Sequence, residues 1–493
     1  MDIARARGST LSWLIRPVAY LIGVLLTALG ALMLIPMLFD IVEREGHWDT
    51  FAESGLITMG VGLATALATR DVKSKSLNIQ QIFLITVGLW LVLPFFGALP
   101  FLLGAPHASF TDAIFESVSG MTTTGSTVFT GLDELPRGTQ LWRSMLQWTG
   151  GLGIVVVAVA FLPSMGVGGM QFFRSEGFDT FGKVLPSASG IAGGLFQVYL
   201  WLTLFCILAY HAVGMSSFDA IIHALTTIST GGFSNYDASF GAFQGPPEYV
   251  ASVFMILASL PFVLYVRMAK GEAVPFWKDV QVRGFMVVLA SIIVALTLYR
   301  VLHLDDGLEH SFREAIFNAT SIMSGTGYAS TDYWLWGSFA ATVMFVAGLI
   351  GGCAGSTCCS IKIFRFQILL QAVRAQIRQI HSPHGVFVPR YDGVRIDEQL
   401  VASVMAFFML FLLTLGVTAV ILALMGLDTV TAISGATTAV ANIGPGLGPT
   451  IGPAGNFSTL GDAPKWVLII AMLMGRLEIL SVLVLFMPRF WRG

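Results

Sequence analysis

The stretch MTTTGSTVF at residues 121–129 is the first of four similar segments that decide the fold of this chain. The others are TISTGGFSN (227–235), SIMSGTGYAS (321–330) and ANIGPGLG (441–448), and we call the four segments loops 1 to 4. All are rich in Gly, Thr and Ser and are framed by hydrophobic runs. Irregular backbone at membrane depth is tolerated only where it lines a water-filled path or is buried in protein. Four such loops predict a four-part ring around one pore.

The composition indicates that most of the chain lies in lipid. Hydrophobic residues make up 55% of the 493 residues and charged residues 11%, and the mean hydropathy is +0.77. We therefore predict an integral membrane protein. No cleavable signal peptide is expected, because the first apolar run, Val18 to Phe39, is long enough to span a bilayer. Hydrophobic windows predict ten crossings, near 18–40, 51–69, 80–103, 139–162, 190–213, 248–267, 284–303, 338–350 with a Gly-rich break beyond it, 399–425 and 464–487.

The spacing of acids and glycines supports a repeat. In the first three copies an acid stands 13 residues before a loop glycine, and the pairs are Asp112 and Gly125, Asp219 and Gly232, and Glu314 and Gly327. Each acid begins an apolar stretch of about 12 residues, too short to span, which predicts a re-entrant half-helix. An acid at a helix N-terminus complements the helix dipole. In the fourth copy Asp428 precedes Gly444 by 16 residues, so that copy is longer or its acid is displaced.

These patterns predict an all-α integral membrane protein. Four pseudo-repeats, each a helix, a re-entrant pore half-helix, a loop and a helix, surround a central pore, and an N-terminal two-helix extension precedes them. The predicted units are an N-terminal transmembrane hairpin (1–76) and four pore repeats (77–185, 186–282, 283–396 and 397–493). The third repeat contains the Gly-rich break, which we define as residues 348–360.

Charge distribution predicts the orientation. With a cytoplasmic N-terminus, 20 of the 27 basic residues fall on the inner side, six fall outside and Arg476 falls within the membrane. This bias follows the positive-inside rule, so the four loops open outward. The outer side carries 19 of the 29 acids. They form either an acidic vestibule that concentrates cations or an ordinary solvated face.

The loop chemistry favours a monovalent, weakly hydrated cation. Several carbonyl oxygens can face one ion only if some residues take positive φ, which Gly does at no steric cost. The loops contain no carboxylates, which Ca²⁺ and Mg²⁺ usually recruit. Hydroxyl or amide groups flank the glycines at Thr122, Thr123, Thr124, Ser229, Thr230, Ser324, Thr326 and Asn442.

Several motifs resemble the Trk/Ktr/HKT superfamily of potassium transporters, bacterial TrkH type. They are TTTGST in loop 1, WTGGLGI (148–154), GGCAGST (351–357), NIGPGLGP (442–449) and MGRLE (474–478). The resemblance covers essentially the whole chain and implies a filter that binds K⁺. A glycine at 125, where sodium-selective plant relatives often carry serine, points to K⁺. The implied ion-binding residues are Thr123, Thr124, Gly125, Thr230, Gly231, Gly232, Gly325, Thr326, Gly327, Asn442, Ile443 and Gly444.

The Gly-rich break should open the eighth crossing, because each Gly costs about 0.8–1.0 kcal/mol relative to Ala in a helix. It is similar to the family's intramembrane gate loop, although Cys358, Cys359 and Ser360 replace the usual further glycines. A kinked but static helix and a cysteine metal or redox site are the alternatives. With Arg476 included, the implied gate residues are Gly351, Gly352, Gly355, Ser356, Thr357 and Arg476.

Arg476 is expected about 18 Å inside the bilayer, counted from Pro464 at 1.5 Å per residue. Such a charge must face water or the protein interior. It is either a pore-facing barrier below the filter, as in the family, or a structural partner of carbonyls or of a carboxylate on another helix. Glu478 is two residues away and points elsewhere, so a local salt bridge between them is not expected.

The predicted function is potassium uptake across the bacterial inner membrane by a multi-pass protein with a cytoplasmic N-terminus. A sodium-permeable or proton-coupled cation transporter of the same fold is the alternative. A membrane enzyme is less favoured, since the eight His show no HExxH motif, and no catalytic residue or cofactor other than K⁺ is predicted. The four Cys are interpreted as reduced thiols.

Partners are implied by the resemblance: a second copy in a homodimer and a cytoplasmic nucleotide-binding regulatory subunit of the TrkA type. The chain has no Rossmann-like region of its own. The basic stretch from Lys362 to Arg395 is the expected docking surface or, alternatively, an anchor on anionic lipid. No nucleic-acid partner is expected.

Overall fold

A computed structural model of the chain describes residues 2–70, 77–160, 165, 169–170, 188–272 and 276–492. The described part is mostly helical, with two short strand pairs, which confirms the predicted all-α class. The predicted unit boundaries after residues 76 and 185 lie outside it. The helices are α1 (Asp2–Leu32), α2 (Leu34–Glu43), α3 (Trp48–Thr69), α4 (Ile79–Gly97), α5 (Leu99–Leu103), α6 (Phe110–Met121), α7 (Arg137–Ala160), α8 (Ala188–Ala212), α9 (Ser217–Ile228), α10 (Pro246–Ser259), α11 (Phe262–Ala269), α12 (Val280–His303), α13 (Leu308–Ser324), α14 (Ser338–Gly348), α15 (Ile363–His381), α16 (Glu398–Leu424), α17 (Thr429–Ala441), α18 (Gly448–Ile451), α19 (Asp462–Arg476) and α20 (Ile479–Leu483).

Two short strand pairs interrupt the helices of the described residues. Strand β1 (Ile350–Gly351) pairs in parallel with β2 (Ile361–Lys362) across the Gly-rich break. Strand β3 (Arg390–Tyr391) pairs antiparallel with β4 (Val394–Arg395).

Six described segments are long and apolar enough to cross a membrane: Leu14–Glu43, Trp48–Thr69, Ile79–Leu103, Ala192–Ala212, Val280–His303 and Glu398–Leu424. Two bent pairs, α10 with α11 and α19 with the segment Ile479–Phe486, bring the number to eight if each is one span. The other two of the ten predicted crossings correspond to α7, which is long but carries polar residues, and to α14, which has only 11 residues.

Two of the predicted crossings, 248–267 and 464–487, are sharply bent in the structure. The first bends by 88° between Ser259 and Phe262, and the second by 106° after Arg476. Pro261 lies at the first bend and lacks the N–H needed to continue the helix. Glu478 lies at the second with φ of 55°. The second helices of repeats 2, 3 and 4 are therefore all broken.

The N-terminal extension is held by close backbone packing and by two carboxylates. A Cβ atom on Gly62 would lie 2.5 Å from the Thr27 amide nitrogen, so α1 and α3 pack as closely as small residues permit. The Asp40 carboxylate accepts the Gly138 N–H (2.7 Å), and Glu45 accepts the Arg137 N–H (2.9 Å). These amides begin α7 and have no partner within the helix. The extension thus caps repeat 1.

The four half-helices are α6, α9, α13 and α17, with 12, 12, 17 and 13 residues. Ser109 and Ser216 cap α6 and α9 by accepting the Asp112 and Asp219 N–H groups at 3.1 Å. Asp428 caps α17 in the same way. All three caps stand 16 residues before their loop glycine. The fourth repeat is therefore in register: Asp428 replaces a serine cap.

The predicted role of Glu314 as an acid at the start of a half-helix is wrong. Helix α13 begins six residues earlier, at Leu308, so Glu314 lies inside the helix. Its buried carboxylate pairs with Arg300 of α12. A tertiary ion pair, rather than the helix dipole, explains this acid.

Candidate functional site

The four loops meet in a closed ring through Gly125, Gly232, Gly327 and Gly444, which we call the ring glycines. A Cβ atom on Gly125 would lie 2.2 Å from the carbonyl oxygen of Gly231, which precedes the next ring glycine. The same contact recurs from Gly232 to Thr326 O (1.9 Å), from Gly327 to Ile443 O (1.8 Å) and from Gly444 to Thr124 O (2.9 Å). The contacts run from loop 1 to 2, 2 to 3, 3 to 4 and back to 1. A side chain at any ring glycine would displace a neighbouring main-chain oxygen.

The backbone of each loop has the same alternating conformation. The ring glycines have φ of 86°, 79°, 83° and 110° in chain order. The residue two positions earlier is also left-handed in every loop, and these residues are Thr123 (53°), Thr230 (52°), Gly325 (76°) and Asn442 (52°). A β-branched Thr at positive φ is rare and costs on the order of 1–3 kcal/mol, strain that concentrates at functional sites.

Two loop hydroxyls, those of Thr124 and Ser126, link loop 1 to loop 4. The Thr124 hydroxyl bonds that of Thr122 (2.7 Å) and accepts the Asn442 side-chain amide of loop 4 (2.9 Å). The Ser126 hydroxyl donates to the Gly444 carbonyl (2.7 Å). Loops 1 and 4 are therefore joined by side chains, and the main-chain oxygens remain the principal candidate ligands for a cation.

Buried polar residues on three half-helices brace the segment that follows each ring glycine. Each stands nine residues before its glycine. Glu116 forms hydrogen bonds with Thr127 and Val128, His223 with Ser234, and Asn318 with Ser330, at distances of 2.9 to 3.2 Å. The sequence analysis missed these residues, although their equal spacing from the ring glycines could have revealed them.

Arg143 of α7 ties repeat 1 to repeat 2 just outside the ring. Its buried guanidinium pairs with Glu116 at 2.8 Å and donates to the Ser234 carbonyl, also at 2.8 Å. It also lies over the Phe233 ring, 4.2 Å from the centroid. A buried arginine and carboxylate hold each other in place because either alone would be an uncompensated buried charge.

A cavity of about 300 Å³ lies outside the ring, lined by all four ring glycines and by residues 452–457 of repeat 4. Asp237 at this cavity accepts the Gly131 and Leu132 N–H groups. Lys465 pairs with Asp112 at 2.7 Å and Arg137 with Glu43 at 3.3 Å. These outer acids have structural partners, and the acidic vestibule stays a prediction.

The Gly-rich break lies on the other side of the ring. Helix α14 ends at Gly348, and the chain continues through β1 and β2 to α15, so the predicted opening of this helix is confirmed. The break is held at the bend after α10: Cys353 N–H donates to Ser259 O and Phe262 N–H to Gly355 O, both at 3.0 Å. Ser360 N–H donates to Ala441 O at the end of α17 (3.0 Å), which attaches the break to loop 4.

Arg476 contacts this break directly. Its Nη1 donates to Thr357 O at 3.5 Å and contacts the Cys359 sulfur. Its Nε and Nη2 have no hydrogen-bond partner among the described residues. The Cys359 sulfur lies 3.7 Å from the Thr123 hydroxyl of loop 1. A small cavity of about 40 Å³ is lined by residues of the break together with Arg476 and Asn442. The predicted gate residues are thus brought together beneath the ring.

Of the basic residues expected at the cytoplasmic docking surface, Arg365 is buried and Lys362 is half-buried and bonded within the chain, so the prediction is wrong for these two. The buried Arg365 guanidinium pairs with Glu478 at 2.6 Å and lies 3.6 Å from the centre of the Phe407 ring. Lys362 donates to the Cys358 carbonyl. Both act within the bundle, since α15 starts at the Gly-rich break.

The four cysteines, Cys206, Cys353, Cys358 and Cys359, are free and buried. Within the described residues, no group of three or more His, Cys, Asp or Glu side chains could hold a metal ion. The reduced-thiol interpretation fits these positions.

Comparisons with known proteins agree with this architecture. The family model TrkH, described as a cation transport protein, matches residues 48–492. The Trk system potassium uptake protein TrkI of Halomonas elongata is 44% identical over 493 residues, covering 100% of this chain and 99% of the relative. TrkH of Escherichia coli K12 is 34% identical over 483 residues, covering 97% of this chain and 99% of the relative. The crystal structure of the potassium transporter TrkH from Vibrio parahaemolyticus superimposes with a TM-score of 0.89 at 34% identity, covering 97% of this chain and 100% of that one.

These matches span nearly the full length of this chain and of its relatives, so the resemblance inferred from the loop motifs is confirmed. They also agree with a transporter rather than an enzyme. The chain belongs to the TrkH family of cation transport proteins.

Proposed function

We propose that this protein takes up K⁺ across the bacterial inner membrane, as the membrane subunit of a Trk-type system. The observation that carries the proposal is the closed ring, in which each ring glycine abuts a carbonyl of the next loop. Relatives named as potassium uptake proteins over the whole chain length support K⁺ as the transported ion.

In this proposal the ring is the selectivity filter. Main-chain oxygens of the loops replace the hydration shell of K⁺, as carbonyl rings do in other potassium-selective pores. The alternating left-handed backbone at positions such as Thr123 and Gly125 supports this role, because it allows successive carbonyls to face one path. The proposed ion-binding residues are the twelve loop residues, from Thr123 to Gly444, that are named in the sequence analysis.

The Gly-rich break acts as the gate. Its contacts with loop 1 through Cys359, with loop 4 through Ser360 and with Arg476 support a position directly below the filter. The Arg476 charge, whose Nε and Nη2 have no hydrogen-bond partner in the described part of the chain, would repel a cation leaving the ring. Straightening the bend after α10 would pull on the break and open the path.

The protein works as a homodimer with its N-terminus in the cytoplasm. Exposed apolar residues on α15 recur at alternating spacings of three and four, as in helices that pair with a second copy. They are Leu370, Val373, Ile377 and Ile380, which are 49%, 52%, 60% and 72% exposed. A TrkA-type nucleotide-binding subunit would dock near the exposed arginines of the same region, such as Arg374 and Arg378.

Reconstituted protein tests the proposed function. Proteoliposomes loaded with K⁺ and diluted into Na⁺ should develop a potential close to the K⁺ equilibrium value, and Rb⁺ should enter against excess Na⁺. Equal permeation of Na⁺ and K⁺ would contradict the proposal. Repeating the assay with an opposed proton gradient separates passive permeation from the proton-coupled alternative, which predicts acidification with K⁺ entry.

A further inference from the structure

One face of α7 runs along the junction between loops 1 and 2. Arg143, Gln147 and Gly151 are four residues apart and therefore share this face. Arg143 binds the Ser234 carbonyl beyond the ring glycine of loop 2, and a Cβ on Gly151 would meet Ser229 at the start of that loop (2.8 Å). Gln147 lies between them, at the level of the ring.

The Gln147 amide holds the backbone on both sides of Gly232. Its Nε2 donates to the carbonyl of Gly231 at 2.6 Å, and its Oε1 accepts the N–H of Phe233 at 3.0 Å. The side chain is fully buried. Because both amide groups bind the same three-residue segment, this amide fixes the position and the orientation of the ring backbone together.

Gly231 is confined from two sides. A Cβ there would lie 2.3 Å from Cδ of Gln147, so a side chain at 231 is incompatible with the amide. The Gly231 oxygen also touches Gly125, at 2.2 Å from that glycine's Cβ position. Gln147 therefore sets how far the oxygen of repeat 2 extends towards repeat 1.

The other three junctions use different chemistry. In the described residues, the Tyr328 hydroxyl of loop 3 bonds Thr226, which immediately precedes loop 2. Loops 4 and 1 are joined by the Ser126 hydroxyl on the Gly444 carbonyl and by the Asn442 amide on the Thr124 hydroxyl. At the junction of loops 3 and 4, the Pro445 ring packs against Gly327. Within the part of the chain that the structure describes, only the junction of loops 1 and 2 has a side-chain amide that binds directly on both sides of a ring glycine.

We propose that Gln147 is a specificity-determining positioning residue, which sets the alkali-cation preference of the ring without touching the ion. The inference rests on the proposed function, since it assumes that cations cross the ring. Without the amide, the Gly231 carbonyl and the Phe233 N–H lose their partners and the segment between them can shift. The ring then accommodates ions of different size, and discrimination falls while permeation continues.

Gln147→Met tests this proposal, because it keeps the side-chain length and removes both hydrogen bonds. Gln140→Met is the matched control. Gln140 lies two turns earlier on α7, is buried and donates to a carbonyl at the same distance of 2.6 Å, but its partner is Leu132, outside the ring. Both variants lose a buried amide, and only one loses a contact with the ring.

Reversal potentials are measured for Li⁺, Na⁺, K⁺, Rb⁺ and Cs⁺ in proteoliposomes containing each variant. One hydrogen bond contributes about fivefold to an equilibrium, so Gln147→Met should lower the K⁺/Na⁺ permeability ratio by about fivefold or more. Gln140→Met should keep the parental ratio even if its stability falls. An unchanged ratio in Gln147→Met, or an equal fall in both variants, would overturn the proposal.

Two further variants keep the test decisive if Gln147→Met does not fold. Gln147→Glu retains the acceptor for Phe233 and loses the donor to Gly231, so it should also lower the ratio. Gly231→Ala should destabilise the protein, and adding Gln147→Ala to it should restore part of the thermal stability. If the double variant is no more stable than Gly231→Ala alone, the packing argument is refuted without any transport measurement. A parent protein that prefers Na⁺ would contradict the proposed function, whereas the ratio of variant to parent would still test Gln147.

Discussion

Replacing Gly125 with Ser tests the ring at its first junction. The new Cβ would lie 2.2 Å from the Gly231 carbonyl oxygen and 3.5 Å from that of Thr326. Since non-bonded heavy atoms settle at roughly 3.5 Å, the Gly231 oxygen must retreat by roughly 1 Å or the Gly125 backbone must turn. Either movement widens or tilts the ring at one of its four members.

The energetic effect has two parts. For a non-glycine residue, the left-handed backbone at φ of 86° costs about 1–2 kcal/mol of conformational free energy. The displaced oxygen weakens binding of the ion that fits the ring best, and a difference of about 1–2 kcal/mol between ions corresponds to a factor of about 5–30. We therefore expect the K⁺/Na⁺ permeability ratio of Gly125→Ser to fall by about one order of magnitude.

Gly131→Ser is the control for backbone strain. Gly131 also has positive φ (67°), lies six residues further along the chain and would place a Cβ with no atom within 4 Å. Gly131→Ser therefore introduces a similar backbone strain energy without moving a ring carbonyl. Reversal potentials under opposed K⁺ and Na⁺ gradients should separate the two variants. If both keep the parental selectivity, or both lose it equally, the steric argument fails.

Three other variants test the surroundings of the ring. Arg476→Ala should raise Rb⁺ flux in proteoliposomes if the charge is a barrier, whereas lower expression with unchanged flux per molecule would indicate a structural role. Glu116→Gln should lower the free energy of unfolding by about 3–5 kcal/mol, because it leaves a buried guanidinium unpaired, while Glu43→Gln in an exposed pair should cost under about 1 kcal/mol in the same thermal melts. Burial lowers the pKa of His47, whose Nε2 accepts the Ala105 N–H. As the pH falls below 6.5, the unfolded chain therefore binds a proton at His47 more readily than the folded protein does, and the free energy of unfolding declines. His47→Gln should show a smaller loss of melting temperature on acidification; an identical pH profile would exclude this contribution.

The ring could be predicted from sequence because its chemistry is local and repeated. Positive φ at Gly125 and its counterparts favours glycine, and three of the four half-helices carry side-chain caps at equal distances from those glycines. The Gly-rich break was predictable because its four glycines, interspersed with Ser, Thr and Cys, each lower helix stability relative to Ala. Family membership followed from these motifs.

Tertiary contacts explain what the sequence analysis missed or misassigned. Glu314 resembles a helix-starting acid in its spacing, but its position is determined by Arg300 on another helix. The bend after Arg476 has no proline, and Glu478 at this bend pairs with Arg365 of repeat 3. Gln147 lies in an ordinary apolar helix pattern, and only the packed loops show that it binds Gly231. Contacts between repeats leave no periodic signal in one chain.

The central claim is that the four ring glycines surround a K⁺ site built from main-chain oxygens. Anomalous diffraction from crystals grown with Rb⁺ in place of K⁺ tests it most directly. We predict a peak on the axis shared by Gly125, Gly232, Gly327 and Gly444, within coordination distance of loop carbonyls, that disappears when Na⁺ replaces Rb⁺. Density that stays away from this axis, or that coordinates carboxylates of the outer surface instead, would contradict the account.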